Sequence, residues 1–309
     1  MSNNQKVLII GGSGKIGEFI IKELKEKCDI SVFDVKEPKD NDLKFIRGDI
    51  RDLESLKENT KNIDTIMHLG AYPNEYAIPS YPQGWDVNFT GTFNVFEAAV
   101  TNKVKKIVYA SSICATGILT WASSDHSIKY FPVNEEHPCN PQNLYGTSKL
   151  IAEKLAFMYA RRSNTSFIGF RIASVWFKSE EGIDETTKLK LKSYIKDPSC
   201  VSTITCENKQ RAINIKDLTW QFVDARDVAQ AFYLALEKKD IKYGIYNIGS
   251  VETPSNWDSI KLAKYFYPDV RISNPLVFLV DKKRALWDIS KAQKELGYNP
   301  LHNWQEYSE

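Results

Sequence analysis

A short apolar run, Lys6–Ile10 (KVLII), ends directly on Gly11-Gly12-Ser13-Gly14-Lys15-Ile16-Gly17, and a helical pattern of Ile16, Phe19, Ile20 and Leu24 starts inside that cluster. No other stretch constrains the fold as strongly. A strand that turns into a helix within so few residues needs backbone that side chains would block, which is why glycine recurs there. The cluster reads both as G-x-x-G-x-x-G (Gly11, Gly14, Gly17) and as G-x-G-x-x-G (Gly12, Gly14, Gly17). In either reading the backbone N–H groups and the helix N-terminus form a cradle for a pyrophosphate, with Lys15 and Ile16 in its first turn.

The rest of the chain extends the same alternation. Apolar runs at 30–35, 43–47, 63–69 and 106–110 alternate with helical patterns at 53–58, 88–100 and 145–161. Short apolar strands between amphipathic helices predict an α/β fold, a Rossmann-type doubly wound parallel sheet covered on both faces. Residues 1–174 are expected to form the nucleotide-binding body. Residues 175–309 are expected to supply mainly a small interleaved C-terminal lobe, with segments near 219–250 returning to the body. In that part the pattern predicts a strand at 220–223, a helix at 226–238 and a strand at 246–248. Helices are expected at 255–267 and 288–296, the last closed by Gly297. Residues 178–218 lack periodicity and read as an irregular insertion.

Composition narrows the function classes. The chain carries 41 Lys+Arg against 39 Asp+Glu, so no large positive field draws it to nucleic acid or acidic membranes. Five cysteines without a C-x-x-C pair and four scattered histidines give no metal-site spacing, so no metal is expected. No apolar stretch approaches the roughly 20 residues that span a bilayer. A cytoplasmic protein is the expectation.

Asp34 closes the second strand about 20 residues on from the loop, where an acid accepts hydrogen bonds from ribose hydroxyls. A carboxylate there repels a 2′-phosphate, so NAD is expected ahead of NADP, although Lys36 lies close enough to weaken the preference. Asp49 follows the third strand, placed either to accept from an adenine amino group or to cap the next helix. Tyr145 and Lys149, at i and i+4, share a helix face, and a cation beside a phenol favours the phenolate needed for proton transfer. Ser111 and Ser112 follow the strand KIVYA at the sheet edge where such folds bind ligands, and a hydroxyl there can hydrogen-bond a reacting oxygen.

These motifs together resemble the extended short-chain dehydrogenase/reductases of the NAD-dependent epimerase/dehydratase type. The resemblance spans nearly the whole chain. It is carried by GGSGKIG at 11–17, Asp34, GDI at 48–50, HLGA at 68–71 and Asn88 in VNFTGTFNVFEAA. YASS at 109–112, YGTSK at 145–149, FRIAS at 170–174, FVDARDVAQAF at 222–232, YNIGS at 246–250 and DISKAQKELGYNP at 288–300 complete it. It implies Tyr145 as catalytic acid/base, Lys149 lowering its pKa and binding the nicotinamide ribose, and Ser112 polarising the reacting oxygen. It also implies that Ile50, Leu69, Gly70, Ala71, Asn88 and Ile172 line the cofactor and that the protein is a homodimer, through helices at 88–102 and 145–161.

Departures from the family's patterns bear on the reaction. The acidic pair that dehydratases place after the catalytic hydroxyl is here Ile113 and Cys114. Nucleotide-sugar epimerases carry an Asn where Ser174 stands and an Arg where this chain has Trp220, so two contacts to a substrate diphosphate are missing. Lys178, Lys188, Lys190, Lys192 or Arg211 could compensate, although a lysine run is more often a solvated face. Arg171, Ser174, His-Leu-Gly at 68–70 and YASS resemble sugar and uronate dehydrogenases, with Ile113-Cys114 replacing the uronate enzymes' Asn-His. Ser112, Ile113, Tyr145, Arg171, Ser174 and Trp176 are therefore the expected substrate contacts. Trp85, Trp121 and Trp220 offer further flat faces for a sugar ring, with core packing the alternative for each. The expected activity is hydride transfer from a sugar or sugar-acid hydroxyl to NAD. UDP-sugar 4-epimerisation and non-catalytic NAD(P) sensing stay open.

Overall fold

Seven strands build the central sheet: Lys6–Ile10 (β1), Asp29–Asp34 (β2), Lys44–Arg47 (β3), Thr65–His68 (β4), Lys106–Ser112 (β5), Ser166–Ile172 (β6) and Tyr243–Ile248 (β7). They come from a computed structural model that describes residues 5–118, 128–188, 203–205, 212–214 and 221–307. All neighbours pair in parallel, in the order β7-β6-β5-β4-β1-β2-β3. The order reverses at β1, and the glycine loop leaves the sheet there, which is where open α/β sheets place their ligand crevice.

The strand sequences fix which residues meet which layer. Val7, Ile9, Val32, Met67, Val108 and Ile168 point to one face and meet the buried side of helix Lys15–Leu24 (α1), with Ile20, Ile21 and Leu24. Helix Ala225–Glu237 packs against α1 on that face. Leu8, Ile10, Phe33, Ile66, Ile107 and Phe167 point the other way. There they meet helices Leu53–Asn59 (α2), Thr92–Thr101 (α3) and Leu144–Arg162 (α4). We label Ala225–Glu237 α5. Each aliphatic side chain so enclosed contributes roughly 1.5–3 kcal/mol, which is why the inner strands carry apolar residues on both faces.

Local caps set the helix boundaries. Asp52 accepts the Ser55 N–H to start α2, Asn143 accepts the Gly146 N–H to start α4, and Asp224 accepts the Arg226 N–H to start α5. Gly297 closes helix Ser290–Leu296 in the left-handed conformation, φ +78°, as expected. The expected helix at 88–100 divides: Trp85–Gly91 is a π-helical segment leading into α3. That extra winding places Asn88 under the loop after β4, a common use of π segments at functional sites.

The C-terminal part interleaves with the body. β7 becomes the sheet's edge strand, while Phe222–Asp224 pairs instead with Ser174–Trp176, outside the seven-stranded sheet. One continuous core cluster joins Val7 and Ile9 to Trp287, Tyr298 and Tyr307. Within the expected insertion, the described residues form a two-stranded pairing of Lys178–Ser179 with Gly182–Ile183 and another of Thr203–Thr205 with Ala212–Asn214.

Candidate active site

The glycine loop is shaped by contacts within the protein at two of its glycines. Gly11 has φ +81°, and a Cβ there would sit 2.5 Å from the Gly70 backbone nitrogen. A Cβ on Gly17 would collide with the Gly12 carbonyl group, so α1 can approach the loop only with glycine at 17. Gly14 differs. It is exposed, and a Cβ there would meet nothing nearer than 3.4 Å. Gly14 is also the N-cap of α1 and supplies no side-chain cap, leaving the first-turn amides of Lys15, Ile16 and Gly17 without one. A bare glycine beside uncapped amides is the cradle a pyrophosphate requires.

Asp34 ends β2 beside the glycine loop and is tied to it. Its carboxylate accepts the Ser13 N–H at 3.0 Å and the Lys36 N–H at 3.2 Å, and the Ser13 hydroxyl donates to the Lys36 carbonyl at 2.6 Å. Asp49 is not a helix cap, since Asp52 holds that place in α2. Its carboxylate is gripped by Arg51, with Nε at 3.0 Å from Oδ1 and a terminal guanidinium nitrogen at 2.6 Å from Oδ2. Arg51 holds the Asp49 carboxyl below its ordinary range. Ile50 is buried against Gly91.

Leu69, Gly70 and Ala71 leave β4 beside the glycine loop, with the Leu69 N–H bonded to Ile10 O at 2.8 Å. Asn88 fixes this segment. Its Oδ1 accepts the Tyr72 N–H at 2.8 Å, and its Nδ2 donates to the Tyr72 carbonyl at 3.3 Å and to the Ser148 hydroxyl at 3.4 Å. His68, buried at the end of β4, contacts the Thr92 hydroxyl through Nε2 at 3.2 Å. Burial, reinforced by the Lys149 charge, holds its pKa down to about 3.

Ser112 ends β5 and caps the turn Ile113–Thr116, its hydroxyl accepting the Cys114 N–H at 3.2 Å. That turn rests on α4: the Cys114 carbonyl would be 2.5 Å from a Cβ on Gly146. Glycine beside Tyr145 therefore lets Ser112 and Tyr145 approach. Both are buried, and burial, with the nearby Cys114, raises the phenol above its ordinary pKa, while Ser112 pulls it the other way. Lys149 donates from Nζ to the Ala110 carbonyl at 2.9 Å and lies 5.5 Å from the centre of the Tyr145 ring. Its own pKa is pushed down to about 8 by burial, against the opposing pull of Cys114. Burial is the largest influence on the phenol in the protein alone.

Other expected contacts fall elsewhere. Arg171 is buried: Nε and a terminal nitrogen reach the Glu153 carboxylate at 2.9 and 2.8 Å, that terminal nitrogen also meets Cys139 Sγ, and the other donates to Glu135 O. Its guanidinium is spent inside the protein, which corrects its assignment to substrate. Trp176 is likewise corrected: it has no exposed surface and packs on Phe222 and Tyr307. The Ile113 side chain belongs to the core, as does that of Ile172. Ser174 stays partly exposed at the sheet edge. Lys15 pairs with Asp184 at 2.7 Å, and Lys178 donates to Glu306 O. Lys188 pairs with Glu185 at 2.7 Å. Trp85 is exposed and stacks on Phe89. Trp121, Lys190, Lys192, Arg211 and Trp220 lie outside the described residues. Among the described residues no cluster of His, Cys, Asp and Glu could hold a metal ion. Sequence reasoning missed Glu75, whose carboxylate accepts the Tyr145 N–H at 2.8 Å. No local pattern announces a partner 70 residues away.

Residues 7–249 match the model of the NAD dependent epimerase/dehydratase family. A UDP-glucose 4-epimerase from Lactobacillus helveticus is 29% identical over 96% of this chain and 92% of its own length. The L-arabinose 1-dehydrogenase (NAD(P)(+)) of Haloferax volcanii is 26% identical over 58% of this chain and 70% of its own. Among solved structures, the Thermus thermophilus UDP-glucose 4-epimerase complex with NAD superposes with a TM-score of 0.67 at 21% identity, covering 98% of this chain and 96% of that one.

Proposed function

This chain belongs to the NAD dependent epimerase/dehydratase family, and from that premise we propose that it is an NAD-dependent oxidoreductase taking hydride from a sugar or sugar-acid hydroxyl. The observation that carries the reading is the junction of Ser112, Tyr145 and Lys149 beside a glycine loop with uncapped amides. NAD, when bound, supplies the hydride acceptor. Gly14, Lys15, Ile16 and Gly17 would hold its pyrophosphate through backbone N–H groups, and Asp34 its adenine ribose. Asp49 and Ile50 flank the adenine, Leu69, Gly70, Ala71 and Asn88 the middle of the cofactor, and Ile172 the nicotinamide side.

The chain's own groups move the proton. Ser112 holds the substrate oxygen, Tyr145 accepts its proton, and the Lys149 ammonium favours the phenolate that this step requires. Positioning and proton transfer are the protein's whole chemical share. Ser174 is the remaining partly exposed candidate for a substrate contact.

A second reading, UDP-sugar 4-epimerisation, is favoured by the Lactobacillus helveticus relative. Against it stand Ser174 and Trp220 at the two diphosphate positions. Non-catalytic NAD(P) sensing is disfavoured by the joint presence of Tyr145, Lys149 and Ser112. A screen of free aldoses, uronates and UDP-sugars with NAD separates the three. We expect net NADH from a free sugar or sugar acid. Epimer without net NADH would contradict the oxidoreductase reading, as would tight NAD binding without any turnover. We also propose a cytoplasmic homodimer. Cys28, Cys114 and Cys139 are free thiols, as suits a reducing compartment, and Phe93, Ile151, Phe157 and Met158 expose apolar surface on α3 and α4.

A further inference from the structure

We infer that Glu75 is a positioning residue that fixes Tyr145 relative to the loop walling the cofactor site. This rests on the reading of Tyr145 as acid/base. The first four N–H groups of a helix have no partner inside it. In α4, the Asn143 side chain satisfies one of them, accepting the Gly146 N–H at 2.7 Å, while the Thr147 N–H makes the first intrahelical bond to the Asn143 carbonyl at 3.0 Å. The Tyr145 N–H is another, and the Glu75 Oε2 takes it at 2.8 Å. A carboxylate at the N-terminus of a 19-residue helix also complements the helix dipole.

Glu75 is itself held in place. It opens the short turn Glu75–Ala77, which Asn74 caps by accepting the Ala77 N–H at 2.9 Å. Three residues earlier, Tyr72 is bonded through both backbone groups to Asn88. Asn88 also donates to the Ser148 hydroxyl, which in turn donates to the Tyr145 carbonyl at 2.7 Å. Both backbone ends of Tyr145 therefore lead to the segment Leu69–Glu75: its N–H through Glu75, its carbonyl through Ser148 and Asn88. The loop that lines the cofactor and the residue that moves the proton are held as one unit. Misplacement of a catalytic group by about an ångström costs on the order of a hundredfold in rate.

The hydrogen bond, rather than the negative charge, is the element that positions. Glu75→Ala removes the acceptor, and Glu75→Gln keeps an acceptor oxygen while removing the charge. For Glu75→Ala we expect sugar-dependent kcat to fall at least tenfold, with the NAD dissociation constant within about threefold of the parent. For Glu75→Gln we expect kcat within about threefold of the parent. Hydrogen exchange at the Tyr145 amide gives a readout that needs no substrate: protection is lost in Glu75→Ala and kept in Glu75→Gln. Unchanged protection or unchanged kcat in Glu75→Ala overturns the inference, and so does a loss that Glu75→Gln does not restore. A parent protein that oxidises no sugar, yet shows the expected exchange pattern, would instead contradict the proposed function and leave the positioning supported.

Discussion

His68 stands one residue before the segment proposed to line the cofactor, with 5% of its surface exposed. In the folded protein it stays neutral until about pH 3, because burial disfavours the imidazolium and Lys149 adds a like charge. In the unfolded chain it takes up a proton near pH 6.5. Between those values the unfolded state binds more protons, so stability rises with pH across the window and falls as the solution is acidified. The loss amounts to roughly 1.4 kcal/mol per pH unit from this group. In His68→Gln, denaturant titrations from pH 6 to pH 4 should show a slope shallower by about one proton. An unchanged slope would contradict the neutral-imidazole assignment. At this scale the sequence singles out Tyr145, Lys149 and Ser112 as candidates, because i, i+4 spacing and position at a strand end are local features. Arg171 and Trp176 mislead, since their burial depends on Glu153, Phe222 and Tyr307, none of them neighbours in sequence.

The pair of Arg171 and Glu153 ties β6 to α4, with Ser111 of β5 donating to Glu153 at 2.7 Å. Arg171 and Ser111 are register partners on adjacent strands, so the guanidinium, hydroxyl and carboxylate meet at the end of β5 and β6. Breaking such a pair leaves a buried charge unpaired and costs about 3–5 kcal/mol. Arg171→Met should lower stability by that amount in urea titrations, and Arg171→Met with Glu153→Leu should recover most of it. If Arg171 instead held substrate, Arg171→Met would raise KM at little cost in stability. The alternation of runs and helical patterns makes most of the sheet legible, since period 2 and period 3.6 are local properties. The π-helical turn at 85–91 and the pairing of Phe222–Asp224 with Ser174–Trp176 are not, because both are decided by what the segment packs against.

At the scale of the molecule, the exposed apolar side chains of α3 and α4 bear on assembly. Phe157 is 46% exposed and Phe93 40%. Burying that surface against a second copy is the homodimer proposed above. Phe157→Glu combined with Ile151→Glu should convert the dimer to monomer in sedimentation experiments. A parent protein that sediments as a monomer would refute the proposal. The near balance of 41 basic and 39 acidic residues gains meaning at the same scale. A diphosphate ligand needs cations, and Arg171, Lys15 and Lys188 are engaged by Glu153, Asp184 and Glu185.

The central claim is that Tyr145 moves the proton while NAD takes the hydride, and Tyr145→Phe tests it most directly. With a sugar that the parent protein oxidises, NADH formation should fall by a factor on the order of 10²–10⁴, while titration with NAD returns a dissociation constant close to the parent's. Turnover within a few fold of the parent would contradict the account.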